Sequence, residues 1–193
     1  MAETPSTMLP LGTKIPAFSL KDAVTGETVT AKDAAGQSAS LVMFICNHCP
    51  FVKHVMDELG RVAGDYIPKG VGVVAINSND VSSYPQDGPE HMKKLAASKG
   101  WRFPFLLDDT QKVAQAFTAA CTPDFFLFGA DGKLVYRGQL DDSRPGNQIP
   151  VTGKDLRAAL DAVLAGNPPN RDQKASIGCN IKWRPGNAPP YSG

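Results

Sequence analysis

Apolar positions change rhythm along this 193-residue chain, and each change marks an element. Ser40 to Ile45 (SLVMFI) is a continuous apolar run, the pattern of a central strand buried on both faces. From Val52 the spacing becomes helical: Val52, Val55, Met56, Leu59 and Val62 fall on one face. Pro50 is tolerated only in the first turn of that helix, where a missing N–H costs little. VGVVAIN (Val71 to Asn77) reads as a second buried strand, and NDVSSYPQDGP as a loop of turn formers. EHMKKLAASKG predicts a helix stopped by Gly100. FPFLLDDT is a short extended piece, and QKVAQAFTAA continues as a helix from its acidic end. TPDFFLF and LVYRGQL flank the tight turn GADGK and predict a hairpin.

Upstream, LGTKIPAFSLKD and TGETVTA predict a short hairpin leading into the core. Downstream, Leu156, Ala159, Leu160, Val163 and Leu164 form the buried stripe of a last helix. Thr152 is the expected cap, with Asp155 three positions on, and Gly166 closes it. Residues 167–193 are rich in Pro, Gly and Asn, show no periodicity, and carry Cys179 and Trp183. The expected architecture is α/β: a central mixed sheet with helices on both faces, an N-terminal hairpin and a C-terminal extension. One domain over 11–166 with an extension over 167–193 accounts for the pattern. A site is expected at the C-terminal end of a central strand.

Composition narrows the functions. The chain has 20 basic and 19 acidic residues, a net charge of +1, so neither nucleic acid nor an anionic membrane is an expected partner. Four cysteines are too few for a secreted disulfide scaffold. MAETPSTMLPLG has neither a basic n-region nor an apolar h-region, and the expected compartment is the cytoplasm. In a reducing compartment, a Cys-x-x-Cys is redox-active or metal-binding before it is a permanent cross-link.

That motif is Cys46-Asn47-His48-Cys49, placed where the buried strand gives way to the Pro50 helix. Together with CTPDFFLF before a later strand, it resembles the thioredoxin superfamily. IPAFSL, FPFLLDD and GKLVYRGQLDD resemble its peroxiredoxin-like (redoxin, AhpC/TSA-type) branch, and CNHCPFVKH with SIGCNIKW is similar to bacterial thioredoxin-family proteins of that branch. The resemblance covers about Leu11 to Gly166.

Two intervening residues in a helical turn bring the sulfurs into exchange range, and a helix N-terminus favours the thiolate. Cys46, read as nearer that terminus and more exposed, is the expected nucleophile, and Cys49 the resolving thiol. His48 is the expected tuner of Cys46, predicting a potential above thioredoxin's ≈ −270 mV, roughly −150 to −240 mV. The resemblance implies a cis Thr122–Pro123 bond, with the Thr122 backbone open to an extended substrate. Cys121 and Cys179 are candidate extra redox thiols. The expected partners are a disulfide or dithiol protein or a low-molecular-weight thiol, with a thioredoxin or glutathione system as electron source.

Where thioredoxin has a buried aspartate, six positions before the first cysteine, this chain has Ser40. The proton acceptor for Cys49 is thus unassigned. A thiol peroxidase using Cys49 or Cys46 is the alternative activity. It requires Thr or Ser three positions earlier, where Cys46 or Met43 stands, and a nearby arginine, for which Arg137 is the candidate. Zinc held by Cys46, Cys49 and His54, Cys121 or Cys179 lacks a second close ligand pair, so no metal or other cofactor is expected.

Overall fold

The computed structural model describes residues 3–192. In chain order the elements are β1 (Glu3–Pro5), β2 (Ser19–Asp22), β3 (Thr28–Thr30), β4 (Ala39–Phe44), α1 (Pro50–Tyr66), β5 (Val71–Asn77) and α2 (Pro89–Lys99). They continue with β6 (Phe105–Leu107), α3 (Lys112–Ala116), β7 (Cys121–Thr122), β8 (Asp124–Gly129), β9 (Leu134–Gly138), α4 (Lys154–Leu164) and β10 (Ile177–Asn180). Among the described residues, seven strands form one sheet in the order β3-β2-β6-β5-β4-β8-β9. The β4–β5 and β5–β6 pairs are parallel, and the β4–β8 and β8–β9 pairs antiparallel. This is the mixed sheet the apolar runs predict, with β4 at its centre.

Strand alternation divides the core in two. Leu41, Met43, Val73, Ala75, Phe125 and Leu127 face α1 and α4, meeting Val52, Leu59, Leu156 and Leu160. Val42, Phe44, Val74, Ile76, Phe126 and Phe128 face the other way, onto Phe117, Val113 and Ile181. Phe117 packs edge-on against Phe44, Phe126 and Phe128, with ring centroids 5.3, 5.4 and 6.0 Å away.

Three features differ from the sequence expectation. The helix read over QKVAQAFTAA is only the short α3. The chain turns at Thr118 (φ 50°), and the Ala119 N–H closes the turn on Ala114 O, so that Phe117 can plug the core. Thr152 does not cap α4; Gly153 holds that position with φ 68°. The Thr152 and Gly153 amides instead donate to Asp141 Oδ2, each at 2.7 Å, so a distant carboxylate satisfies the helix entrance.

The third difference concerns the tail. β10 lies antiparallel between β1 and β7, with Cys179 opposite Thr122 and Glu3 opposite Cys179 on the other side. A Cβ on Gly178 would meet Thr122 O at 2.0 Å, so glycine is what lets the strand approach so closely. Beyond β10, Ile181 N–H donates to Ala120 O, and Gln111 Nε2 donates to Lys182 O at 2.9 Å. Four residues of strand bracketed by polar positions carry too little pattern to be read as an element.

Candidate active site

After Phe44 the chain leaves the sheet: Ile45 N–H bonds Ile76 O, and the next four residues make the turn into α1. Pro50 opens the helix as its first residue, and Cys49 is the capping residue (φ −63°, ψ 125°). Cys49, not Cys46, is thus adjacent to the helix terminus. Both thiols are buried, Cys46 at 1% exposure and Cys49 fully, and the tail strand brings Cys179 against Cys49.

Three sulfurs meet there. Cys49 Sγ lies 2.8 Å from Cys179 Sγ, and Cys46 Sγ lies 3.5 Å from Thr122 Oγ1. No disulfide joins them. The Cys49 thiol is pulled well below its usual range by hydrogen bonding from Cys179 and then Cys46, helped by the amide of Val52 in the first helical turn. Cys46 is pushed well up by its hydrogen bond to Cys49, by burial and by the charge of Asp87. Cys179 is pushed up by its hydrogen bond to Cys49 and by burial. Of the three thiols the middle one is therefore the readiest to ionise, with its neighbours as donors to the thiolate. When protonated, Cys49 can donate instead to Thr122 O at 3.2 Å.

His48 stands beside Cys46 but pairs with Asp87 rather than with a sulfur. Its Nδ1 lies 2.5 Å from Asp87 Oδ2, and its ring stacks on Tyr84 at 5.2 Å and 4°. Asp87 ends a 3₁₀ turn, Pro85–Asp87, in the loop read from its turn formers. Its fully buried carboxylate accepts Asn47 N–H (2.8 Å), His48 N–H (3.2 Å) and Asn79 Nδ2 (2.9 Å). Asn79 Oδ1 in turn accepts Lys182 N–H at 2.9 Å, so one side chain joins the motif's support to the tail. Sequence reasoning missed Asp87 and Asn79, since nothing local marks an aspartate 38 residues after Cys49 as facing it.

The Thr122–Pro123 peptide is cis. Cys121 is buried with its sulfur 3.7 Å from Pro123 O, and burial pushes its thiol up. His54 is taken by Ser143 Oγ at 2.7 Å, and Arg137 by Leu9 O and Gln173 Oε1. Neither reaches the sulfurs in the role considered for it. Among the described residues, Cys46, His48 and Asp87 place one donor atom each within 4.8 Å of one another. The imidazole and carboxylate already share a hydrogen bond, closer than two ligands of one zinc stand, so the cluster as arranged is a polar support.

Residues 10–156 match the Redoxin family. The chain belongs to the redoxin family. An uncharacterized conserved protein from Geobacillus kaustophilus has a crystal structure similar to this redoxin, with 58% identity, a TM-score of 0.94, and coverage of 96% of this chain and 98% of that one. The thioredoxin domain of a thiol-disulfide oxidoreductase from Bacteroides vulgatus shares the fold at 20% identity and a TM-score of 0.56, covering 67% of this chain and 88% of that chain. Thiol-disulfide oxidoreductase ResA from Halalkalibacterium halodurans is 25% identical over 119 residues, 61% of this redoxin and 62% of the relative. The alignment thus spans less than two thirds of that relative's length. No helix among the described residues is long and apolar enough to cross a membrane.

Proposed function

We propose that this redoxin is a thiol-disulfide oxidoreductase that exchanges a Cys46–Cys49 dithiol/disulfide with protein or small-thiol partners. The observation that carries the reading is that Cys46 and Cys49, on the turn into α1, both bring their sulfurs to Thr122, 3.5 Å from its Oγ1 and 3.2 Å from its carbonyl oxygen. The similarity to thiol-disulfide oxidoreductase ResA supports the same reaction class.

Cys46 is the sulfur that attacks, and the Cys49 thiolate is its base. As Cys46 Sγ bonds to one sulfur of a substrate disulfide, its proton passes to Cys49 and the other substrate sulfur leaves as a thiolate. That thiolate takes the proton back from Cys49. Cys49 then attacks Cys46 Sγ, forming the Cys46–Cys49 bond and releasing the reduced substrate. Because its thiol is held well down, Cys49 attacks as a thiolate and needs no separate acceptor in place of the missing aspartate. A thioredoxin- or glutathione-type system in the cytoplasm would return the electrons. For the peroxidase alternative, Thr122 supplies a hydroxyl beside Cys46, but Arg137 is engaged elsewhere.

Turnover of insulin or a dithiol–disulfide pair tests the reading. Cys46→Ser and Cys49→Ser should each abolish it, and full activity in Cys46→Ser would overturn it.

A further inference from the structure

The mechanism above uses two sulfurs, and a third stands against them. Cys179 is 2% exposed, and its sulfur touches Cys49 from the side opposite the motif. Its position is held on both flanks of β10: by pairing with Thr122, by pairing with Glu3, and by the Gly178 approach to Thr122. The Ile181 and Lys182 backbone bonds fix the strand beyond it. Cys49 is therefore the common member of two mutually exclusive pairs, one with a neighbour three residues away and one with the tail.

We propose that Cys179 is a third redox thiol, which takes the disulfide from Cys46 and closes it between Cys49 and the tail. In the oxidised protein the Cys179 thiolate attacks Cys49 Sγ. The Cys49–Cys179 bond forms, the Cys46–Cys49 bond breaks, and its electron pair leaves on Cys46. The proton released by Cys179 passes to Cys46. No electrons enter or leave, so the step needs no outside oxidant. It regenerates a free Cys46 while the two oxidising equivalents are held in a bond pinned under β10. That bond also fastens the tail covalently along Thr122, so the oxidised form keeps its own strand on that edge until a dithiol reduces it.

This relay rests on the dithiol reading, and three full-length chains separate the two. Wild type, Cys46→Ser and Cys179→Ser are equilibrated in a glutathione redox buffer, acid-quenched, alkylated, and digested without reduction for mass spectrometry. The relay predicts a Cys49–Cys179 cross-linked peptide in wild type beside the Cys46–Cys49 form. It also predicts one intramolecular Cys49–Cys179 disulfide in monomeric Cys46→Ser, and loss of that peptide in Cys179→Ser. If Cys46→Ser keeps both remaining sulfurs free, or joins them only between molecules, and wild type shows Cys46–Cys49 alone, the relay is wrong and the dithiol reading stands. If Cys179→Ser forms no Cys46–Cys49 disulfide and wild type forms neither link, both fail. Cys46→Ser retains the tail cysteine, so the result does not depend on how well Cys179→Ser folds.

Discussion

His48 is bound to Asp87, not to Cys46: Nδ1 and Oδ2 are 2.5 Å apart, and the same carboxylate holds the amides of Asn47 and His48. The redox turn is thus suspended from an acidic side chain of another loop. The charge on that side chain opposes a thiolate at Cys46, while the imidazole that faces it offsets the charge.

Asp87→Asn removes the opposing charge. Cys46 should then lose its proton at lower pH, because the Asp87 carboxylate is among the causes that push it up. The pH profile of Cys46 alkylation, followed by peptide mass spectrometry, should move down. The amide oxygen can keep the Asn47 and His48 N–H groups, but its NH2 then faces the Asn79 Nδ2 donor, costing on the order of 1–3 kcal/mol. Thermal unfolding of a 193-residue chain should show this as a fall of about 2–4 °C per kcal/mol.

His48→Phe keeps a ring against Tyr84 and leaves Asp87 without its imidazole. The Cys46 thiolate becomes harder to form, so the disulfide becomes less oxidising. The potential should fall, by about 30 mV for a tenfold shift. Equilibration against glutathione buffers measures it, and a rise would count against the charge argument.

Cys179→Ala deletes the sulfur that lies 2.8 Å from Cys49 and does most to hold its thiol down. A donor to the charged form lowers a thiol's titration point, so its loss raises it. The Cys49 thiolate, read by ultraviolet absorbance against pH, should appear at higher pH than in wild type.

Asp124 gives the pH dependence of stability a separate handle. Its carboxyl is wholly buried at the start of β8, with Oδ1 accepting Phe125 N–H at 3.1 Å and Oδ2 unpartnered among the described residues. Burial pushes its titration point well above the usual range. A group raised in the folded state contributes stability fully present below its unfolded value, ≈ 3.9, and lost as pH rises through the folded value. Asp124→Asn imitates the protonated acid at every pH. Its melting temperature should exceed that of wild type most at high pH, and the gap should close toward pH 4. A gap that does not change with pH would remove Asp124 as the cause.

The parts legible in the sequence are those whose signal is local. The SLVMFI run, the Val52 to Val62 face and the GADGK hairpin each carry their own periodicity, and each forms where expected. Cys46 and Cys49 could be placed at a strand-to-helix turn for the same reason. Contacts between distant segments left no such trace. Asp87 meets His48 across 39 residues, Asp141 meets Gly153 across 12, and Cys179 meets Cys49 across 130. Thr152 reads as a better cap than Gly153 only until Asp141 is in view. The burial of Cys49 against a third thiol could not be anticipated without knowing that β10 brings Cys179 to it.

The 130-residue separation of Cys49 and Cys179 has a thermodynamic side. A Cys46–Cys49 bond ties a loop so small that it removes little freedom from the unfolded chain, about 2 kcal/mol by chain entropy. A Cys49–Cys179 bond would tie most of the molecule into one ring, about 5 kcal/mol on the same scale. Two isomers with the same electron count would then differ by about 3 kcal/mol in resistance to unfolding, so a thermometer could tell which disulfide this redoxin holds where counting electrons could not.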